Sequence, residues 1–368
     1  MHQLFYTLFF FFILSIMSSL SLAHPFISVD ATTGRILKHN QAFERWYPAS
    51  LTKLMMTYII FRAMSTGKIS PHKHITISKN AAQAPAINSG YKAGSVLTLD
   101  TALKITLVKS TNDLAIAISE AISGSQEAFV KQMNAEARRL GMFGTNFTNT
   151  SGLPNPNNYS TARDMALLAV QIRREFPQYT HYFSIPAIDF GNGKKIQSNS
   201  NNLIGRFDGI DGMKTGFICA SGFNLVASAT RNKRTIIVVI LGSESINKRE
   251  EKAAQLLNAG FSDKGSPQST LATLEPYGTK ISQITDMRQQ ICTPEAIKMR
   301  LNSYDEEGNI ILTSPFITAL PSSILPLQVK LISAPKILKI NGKIVREIPI
   351  PYKRPPYSPP MIKAVNHI

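Results

Sequence analysis

A mixed α/β class fold of the α+β kind, with an antiparallel sheet flanked by helices, is predicted for this 368-residue chain from three features. Residues 211–217, 222–230 and 235–241 are β-rich runs joined by links too short for a parallel crossover, so they read as an antiparallel meander. Ahead of them lie several apolar-periodic stretches of helical length. The composition, 43% hydrophobic and 17% charged, is that of an ordinary globular protein and excludes a disordered chain, a collagen-like repeat or a polytopic membrane protein.

In chain order, residues 4–17 are almost all apolar and are followed by small and hydroxyl residues up to Ala23. This reads as a signal peptide cut after Ala23, although residues 4–23 are also just long enough to span a bilayer uncleaved. Residues 27–29 and 35–37 flank Asp30-Ala31-Thr32-Thr33-Gly34, which reads as a hairpin turn. A buried helix is expected to begin at Pro48 or Ser50 and to run to about Met64, stopped by Gly67. Further helices are expected at 98–108, 112–122 and 125–140. Another starts at Thr161, where Asp164 three residues on has capping-box form, and runs to about Glu175. After the meander, the charged stretch 247–251 is expected to lead into a closing helix at 253–259.

Composition shifts near residue 263: 13 of the 21 prolines fall in residues 264–368. The domains expected are therefore the signal peptide 1–23, a catalytic unit 24–263 and a proline-rich, partly β or partly disordered region 264–368, with strands at 337–340 and 343–350.

Forty Lys and Arg against 23 Asp and Glu give a net charge of +17, which favours anionic partners. No charged side chain lies in residues 1–23, so an exported protein keeps that charge. Export removes nucleic acid as a partner and leaves an anionic membrane surface or a cell-wall polymer. Two cysteines are too few for a disulfide scaffold, and the close pair His72 and His74 sits in a basic turn, so no metal or cofactor is expected.

Three short motifs carry chemistry. Ser50-Leu51-Thr52-Lys53 sets a hydroxyl and an amine on one face of a helix start, as a nucleophile and its base require. Ser-x-x-Lys occurs five more times, at Ser65, Ser70, Ser89, Ser245 and Ser333, and most such matches are surface turns. Ser50 differs in having Pro48-Ala49 before it and a long apolar helix behind it to bury the lysine stem. Ser110-Thr111-Asn112 taken alone is a helix N-cap, and Lys214-Thr215-Gly216 taken alone is an edge strand with a glycine bulge. Their joint occurrence in this order is the motif set of serine β-lactamases and penicillin-binding proteins.

Here the chain resembles the serine D-alanyl-D-alanine carboxypeptidases, the low-molecular-weight penicillin-binding proteins. Residues 47–55, 149–168 around Ser151-Gly152-Leu153, and 209–229 around Asp211-Gly212-Met213-Lys214-Thr215-Gly216 all look like that family. The resemblance covers about residues 25–263; the region beyond it has no obvious match. It implies a β-lactamase/penicillin-binding transpeptidase-like fold and removal of the terminal D-alanine from peptidoglycan stem peptides through an acyl-enzyme on Ser50, with β-lactam antibiotics as inhibitors. Lys53 is then the base, which requires its pKa to fall far below the usual ~10.4. Lys214 can supply the cation that lowers it. Ser110 is suited to pass a proton to the departing amine, and Asn112 to position Lys53 and the substrate amide. Lys214 and Thr215 are expected to bind the terminal carboxylate, with Arg249 a second candidate, while Gly216 lets the backbone approach. The backbone N–H groups of Ser50 and Phe217 would form the oxyanion hole, each worth about 3 kcal/mol.

Two alternatives remain. A class A β-lactamase needs a deacylating glutamate, and none of Glu120, Glu127, Glu136 or Glu175 lies in a Glu-x-x-Leu-Asn segment, so slow release of penicillin is expected. An inactive peptidoglycan-binding module would need no buried amine. Cys219, three residues past Gly216, and Cys292 are expected to pair in an exported protein, closing a loop of about 73 residues; a buried Cys219 and an unrelated Cys292 is the other reading. Many family members anchor to the membrane through a C-terminal amphipathic helix, which the six prolines of residues 348–368 forbid, leaving peripheral contact with an anionic membrane through charge.

Overall fold

The computed structural model describes residues 24–191, 193, 195–263, 269–321 and 325–333, and the backbone of two further strands at 337–340 and 343–346. The expected signal peptide and residues 347–368 lie outside these. Strands β1 (Phe26–Asp30) and β2 (Ile36–Asn40) form the predicted hairpin. Its turn is closed by Asp30, whose Oδ1 accepts the N–H groups of Thr32 and Thr33 at 3.0 and 3.2 Å. The meander consists of β3 (Ile210–Ile218), β4 (Gly222–Arg231) and β5 (Arg234–Ser243), antiparallel throughout. Together they make a five-stranded sheet ordered β2-β1-β5-β4-β3, so the Lys214 strand is an edge strand.

Strand β5 reads as a continuous apolar run because both its faces are covered. Ile236, Val238 and Ile240 point one way, onto Ala253, Ala254, Leu256 and Leu257. Ile237, Val239 and Leu241 point the other way, into the larger core that holds most helices. Those helices are α1 (Thr52–Ser65), α2 (Leu99–Lys109), α3 (Asn112–Ser123), α4 (Gln126–Arg139) and α5 (Ala162–Glu175). In α1 even Thr52, Lys53 and Thr57 are fully buried, which makes it the helix at the centre of the molecule.

Two expectations change. The closing helix α6 spans Ile246–Ser262, seven residues earlier than predicted at its start. Ser245 caps it by accepting from Lys248 N–H, and the charged stretch read as a lead-in forms its first turns, with Arg249 and Glu250 buried. At α5 only half of the capping box forms. Thr161 Oγ1 accepts Asp164 N–H at 3.1 Å, but Asp164 Oδ2 turns to Gly144 N and Thr145 Oγ1 at 2.9 and 2.7 Å. A carboxylate with a loop to hold does more there than at its own helix start.

Beyond residue 263 the described chain packs back onto the rest. Leu271, Met287, Ile291 and Val329 enter the larger core. A short strand at Ile284–Thr285 pairs parallel with Arg45–Trp46, and another at Leu327–Gln328 pairs parallel with Ala187–Asp189. Strands 337–340 and 343–346 form an antiparallel hairpin, and residues 347–350 of the expected second strand are not among those described. Cys219 and Cys292 are joined by a disulfide. No helix among the described residues is long and apolar enough to cross a membrane.

Candidate active site

Ser50 stands in a 3-10 turn, Ala49–Leu51, directly before α1. The turn is held from outside: Asn224 Nδ2 donates to the carbonyls of Tyr47 and Pro48 at 2.9 and 3.3 Å, while its Oδ1 accepts Gly242 N–H. Ala49 has φ of 48° and Ser110 has φ of 64°, left-handed values that cost a non-glycine residue about 1 kcal/mol or more. Both sit at the motifs picked out in the sequence, one before Ser50 and one at the C-cap of α2.

Lys53 is fully buried, with its Nζ 3.1 Å from Ser50 Oγ. The same nitrogen donates to Ser151 O at 2.7 Å and to Asn112 Oδ1 at 2.9 Å. The Asn112 amide is oriented by its own Nδ2, which donates to Pro85 O at 3.0 Å, so its oxygen must face the lysine. Ser151 O is aimed by Asn149, whose Oδ1 gathers the N–H groups of Ser151, Gly152 and Leu153. Two of the three partners of Nζ are thus oxygens that only accept. A neutral amine has two N–H bonds for them and one lone pair, and the lone pair is left for the Ser50 hydroxyl.

The electrostatics favour that neutral form. Burial pushes the Lys53 pKa well below its ordinary value, the charge of Lys214 pushes it further, and Asp113 opposes both. Lys214, also buried, is lowered to about 7, by burial first and then by Arg249. Its Nζ donates to Ser110 Oγ and to Thr215 O, each at 3.0 Å. Thr215 Oγ1 lies 2.5 Å from Ser200 Oγ.

Glycines let these segments converge. A Cβ on Gly152 would lie 1.8 Å from Ala49 O, and one on Gly216 would lie 2.8 Å from Pro48 O and 3.0 Å from Ser50 N. Strand β3 therefore passes directly against the backbone N–H of Ser50. Phe217, next in that strand, is 44% exposed and stacks on Phe223 with ring centroids 4.3 Å apart.

Ser50, Lys53, Ser110, Asn112, Lys214, Thr215 and Gly216 are thus brought together from α1, the α2–α3 turn and β3. Arg249 lies behind Thr215, linked to it through Ser200, whose carbonyl it meets and whose hydroxyl lies 2.5 Å from Thr215 Oγ1. It is 3% exposed, ion-paired to Glu250 at 2.5 Å and bonded to Ser200 O at 3.1 Å, and its charge acts on Lys214. Sequence reasoning missed Asp113, Asn149, Ser200 and Asn224, which support the site. Asp113 alone had a signal, its place beside Asn112; its carboxylate holds Ser89 N–H and Oγ and so anchors the 85–91 loop over the site.

None of the four glutamates between Ser110 and Lys214 is turned to Ser50. Glu120 accepts from Asn80, Glu136 pairs with Arg62 and Arg139, Glu175 accepts from Tyr58, and Glu127 is exposed on α4.

Residues 19–245, more than half of the chain, match the family described as D-alanyl-D-alanine carboxypeptidase, peptidase S11. The D-alanyl-D-alanine carboxypeptidases DacC of Escherichia coli and DacA of Haemophilus influenzae are 34% and 36% identical over 268 and 269 residues. Each alignment takes in 71% of this chain. It spans 66% of each relative's length, just under two thirds. The crystal structure of penicillin binding protein 5 from Haemophilus influenzae superposes with a TM-score of 0.62 at 34% identity, covering 65% of this chain and 71% of that one. Its sheet, helices and three motifs place this chain in the fold of the penicillin-binding proteins, and the chain belongs to the D-alanyl-D-alanine carboxypeptidase family.

Proposed function

We propose that the protein is a serine D-alanyl-D-alanine carboxypeptidase that trims peptidoglycan stem peptides and is acylated by penicillins. The observation that carries this reading is the place of Lys53 Nζ, 3.1 Å from Ser50 Oγ and held there by Ser151 O and Asn112 Oδ1, where the neutral amine can take the Ser50 proton. In the reaction, Ser50 Oγ attacks the carbonyl of the penultimate D-alanine as its proton passes to Lys53. The developing oxyanion is received by the N–H groups of Ser50 and Phe217. The C–N bond breaks, and a proton delivered through Ser110, which Lys214 holds, leaves with the D-alanine amine. Lys214 and Thr215 hold the terminal carboxylate throughout. Water then cleaves the ester. A β-lactam follows the same course until its leaving nitrogen, still tethered to the acyl group, blocks the approach of water.

Slow deacylation of penicillin fits the commitments of Glu120, Glu136 and Glu175 to other partners, and no observation favours the β-lactamase reading. The apolar leader and the net charge of +17 support export and action in the periplasm, at the anionic wall or the outer face of the cytoplasmic membrane.

Intact mass of the exported protein, with and without a fluorescent penicillin, is followed over hours beside D-alanine release from a peptide ending in D-Ala-D-Ala. The expected result is an adduct that persists and is absent in Ser50→Ala, together with D-alanine release. Rapid loss of the adduct with penicillin turnover means a β-lactamase, and no adduct in the folded protein means a wall-binding module.

A further inference from the structure

The end of the β3–β4 hairpin, where Phe217 stands, is gripped by the C-terminal region at three points. Cys219, two residues past Phe217, is bonded to Cys292. Met287, itself buried, donates its N–H to Ala220 O at 3.0 Å. Arg300 places its guanidinium 5.6 Å from the centre of the Phe223 ring, the ring on which Phe217 stacks. Arg300 lies on a helix, Pro294–Leu301, whose cap is Thr293, the residue after Cys292. Bridge and cation therefore hold the two ends of one short helix against the hairpin.

The hairpin end also fixes the direction of the Phe217 N–H. Ile218 turns both its backbone groups towards β4: its carbonyl accepts Ser221 N–H at 2.9 Å and its N–H donates to Ser221 Oγ at 3.1 Å. These groups alternate in direction along a strand, so the Phe217 N–H faces the unpaired edge of β3, as an oxyanion donor must. The helix that steadies this end is itself lightly seated. Of its eight residues only Ala296 is buried, and a cavity of about 170 Å³, lined in part by Phe223, Ile297, Arg300 and Leu301, lies beside it. Packing that sparse leaves the helix dependent on its covalent tether. Both cysteines are half-buried, within reach of a small thiol.

Resting on the carboxypeptidase reading, we propose that the helix Pro294–Leu301 positions the Phe217 N–H, with Arg300 acting through Phe223, and that the Cys219–Cys292 bridge thereby places acylation under thiol–disulfide control. A dithiol reductant opens the bridge in two steps. Its thiolate attacks one sulfur to give a mixed disulfide, and its second thiol displaces that sulfur; two electrons and two protons pass to Cys219 and Cys292, and the reductant leaves as a disulfide. The chain has no other cysteine, so a reductant acting on the folded protein has no second target among its thiols.

The full-length oxidised protein is compared with the same protein reduced by a dithiol without denaturant, with two thiols counted and circular dichroism recorded, and with Arg300→Ala and Arg300→Lys. Penicillin acylation is resolved into the dissociation constant of the first complex and the acylation rate constant, and the carbonyl band of the ester is read by infrared spectroscopy. Reduction is expected to lower the rate constant about tenfold, a part of the roughly 100-fold or more that loss of a whole oxyanion donor costs. The dissociation constant stays as it was, the carbonyl band moves to higher frequency as its oxygen loses a hydrogen bond, and reoxidation reverses both changes. Arg300→Ala in the oxidised protein lowers the rate constant about threefold, the worth of one partly exposed cation–π contact, and Arg300→Lys restores it. An unchanged rate constant in the reduced protein, or a fall with the carbonyl band unmoved, overturns the positioning role while the carboxypeptidase reading stands. Where reduction also unfolds the chain, Arg300→Ala decides: an unmoved rate constant and band overturn the proposal. No adduct with the oxidised, unaltered protein overturns both.

Discussion

At the scale of single residues, two buried lysines do different work because their surroundings differ. Lys53 has two carbonyl acceptors and a like charge nearby, which suits an amine that must be neutral before it receives a proton. Lys214, lowered to about 7, still carries its charge in mildly acidic solution. The sign of the pH dependence follows. The acylation rate rises with pH as Lys53 loses its proton. Above pH 7 the affinity for a carboxylate substrate falls as Lys214 becomes neutral. The kcat/KM profile should therefore rise with pH and then fall above about pH 7, its alkaline limb carried by KM. A flat profile would remove both assignments.

At the scale of elements, the site is a junction of three segments whose backbones nearly touch. Gly152 meets Ala49, Gly216 meets Pro48, and the left-handed Ala49 bends the chain into the start of α1. Gly152 has φ of 84°, and any Cβ there overlaps a carbonyl, so Gly152→Ala must push the Ser151 carbonyl away from Lys53 or the Ala49 turn away from β3. A shift of about 1 Å is enough to cost on the order of 100-fold in rate. Gly152→Ala is expected to lose penicillin acylation by about that factor while keeping its helical circular dichroism. Wild-type acylation by this variant would show that the close approach does not position the nucleophile.

For the whole molecule, the region after residue 263 is fastened to the rest of the chain at two separate places. The Cys219–Cys292 bridge ties it to the strand of Lys214, and the 327–333 segment lies along Ala187–Asp189. A bridge closing 73 residues restricts the unfolded chain by roughly 4 kcal/mol on the loop-entropy account. Denaturant melts with and without reductant should differ by about that amount. Thiol labelling of the denatured, unreduced protein should find neither cysteine free; two labelled cysteines would mean that the C-terminal region is held by packing alone.

How much of this was legible beforehand depended on whether a property is local. The sheet order could not be read, but the three strands of the meander, the first hairpin and five helices follow from periodicity and turn residues, and they lie within a few residues of where those signals put them. The chain's own order of Ser50-x-x-Lys53, Ser110-x-Asn112 and Lys214-Thr215-Gly216 named the groups that the fold brings together and that we propose are catalytic, since each motif is a short-range pattern. Helix α6 was expected to start seven residues too late because buried Arg249 and Glu250 resemble a solvated charge run until each is seen to have the other as partner. Asn224 and Ser200 carry no local mark of their role; they matter for the groups they meet far along the chain. The sequence by itself determined which residues are able to react. Tertiary structure alone decided which oxygens surround Lys53, and that the C-terminal segment lies along Ala187–Asp189, because both depend on contacts between residues distant along the chain.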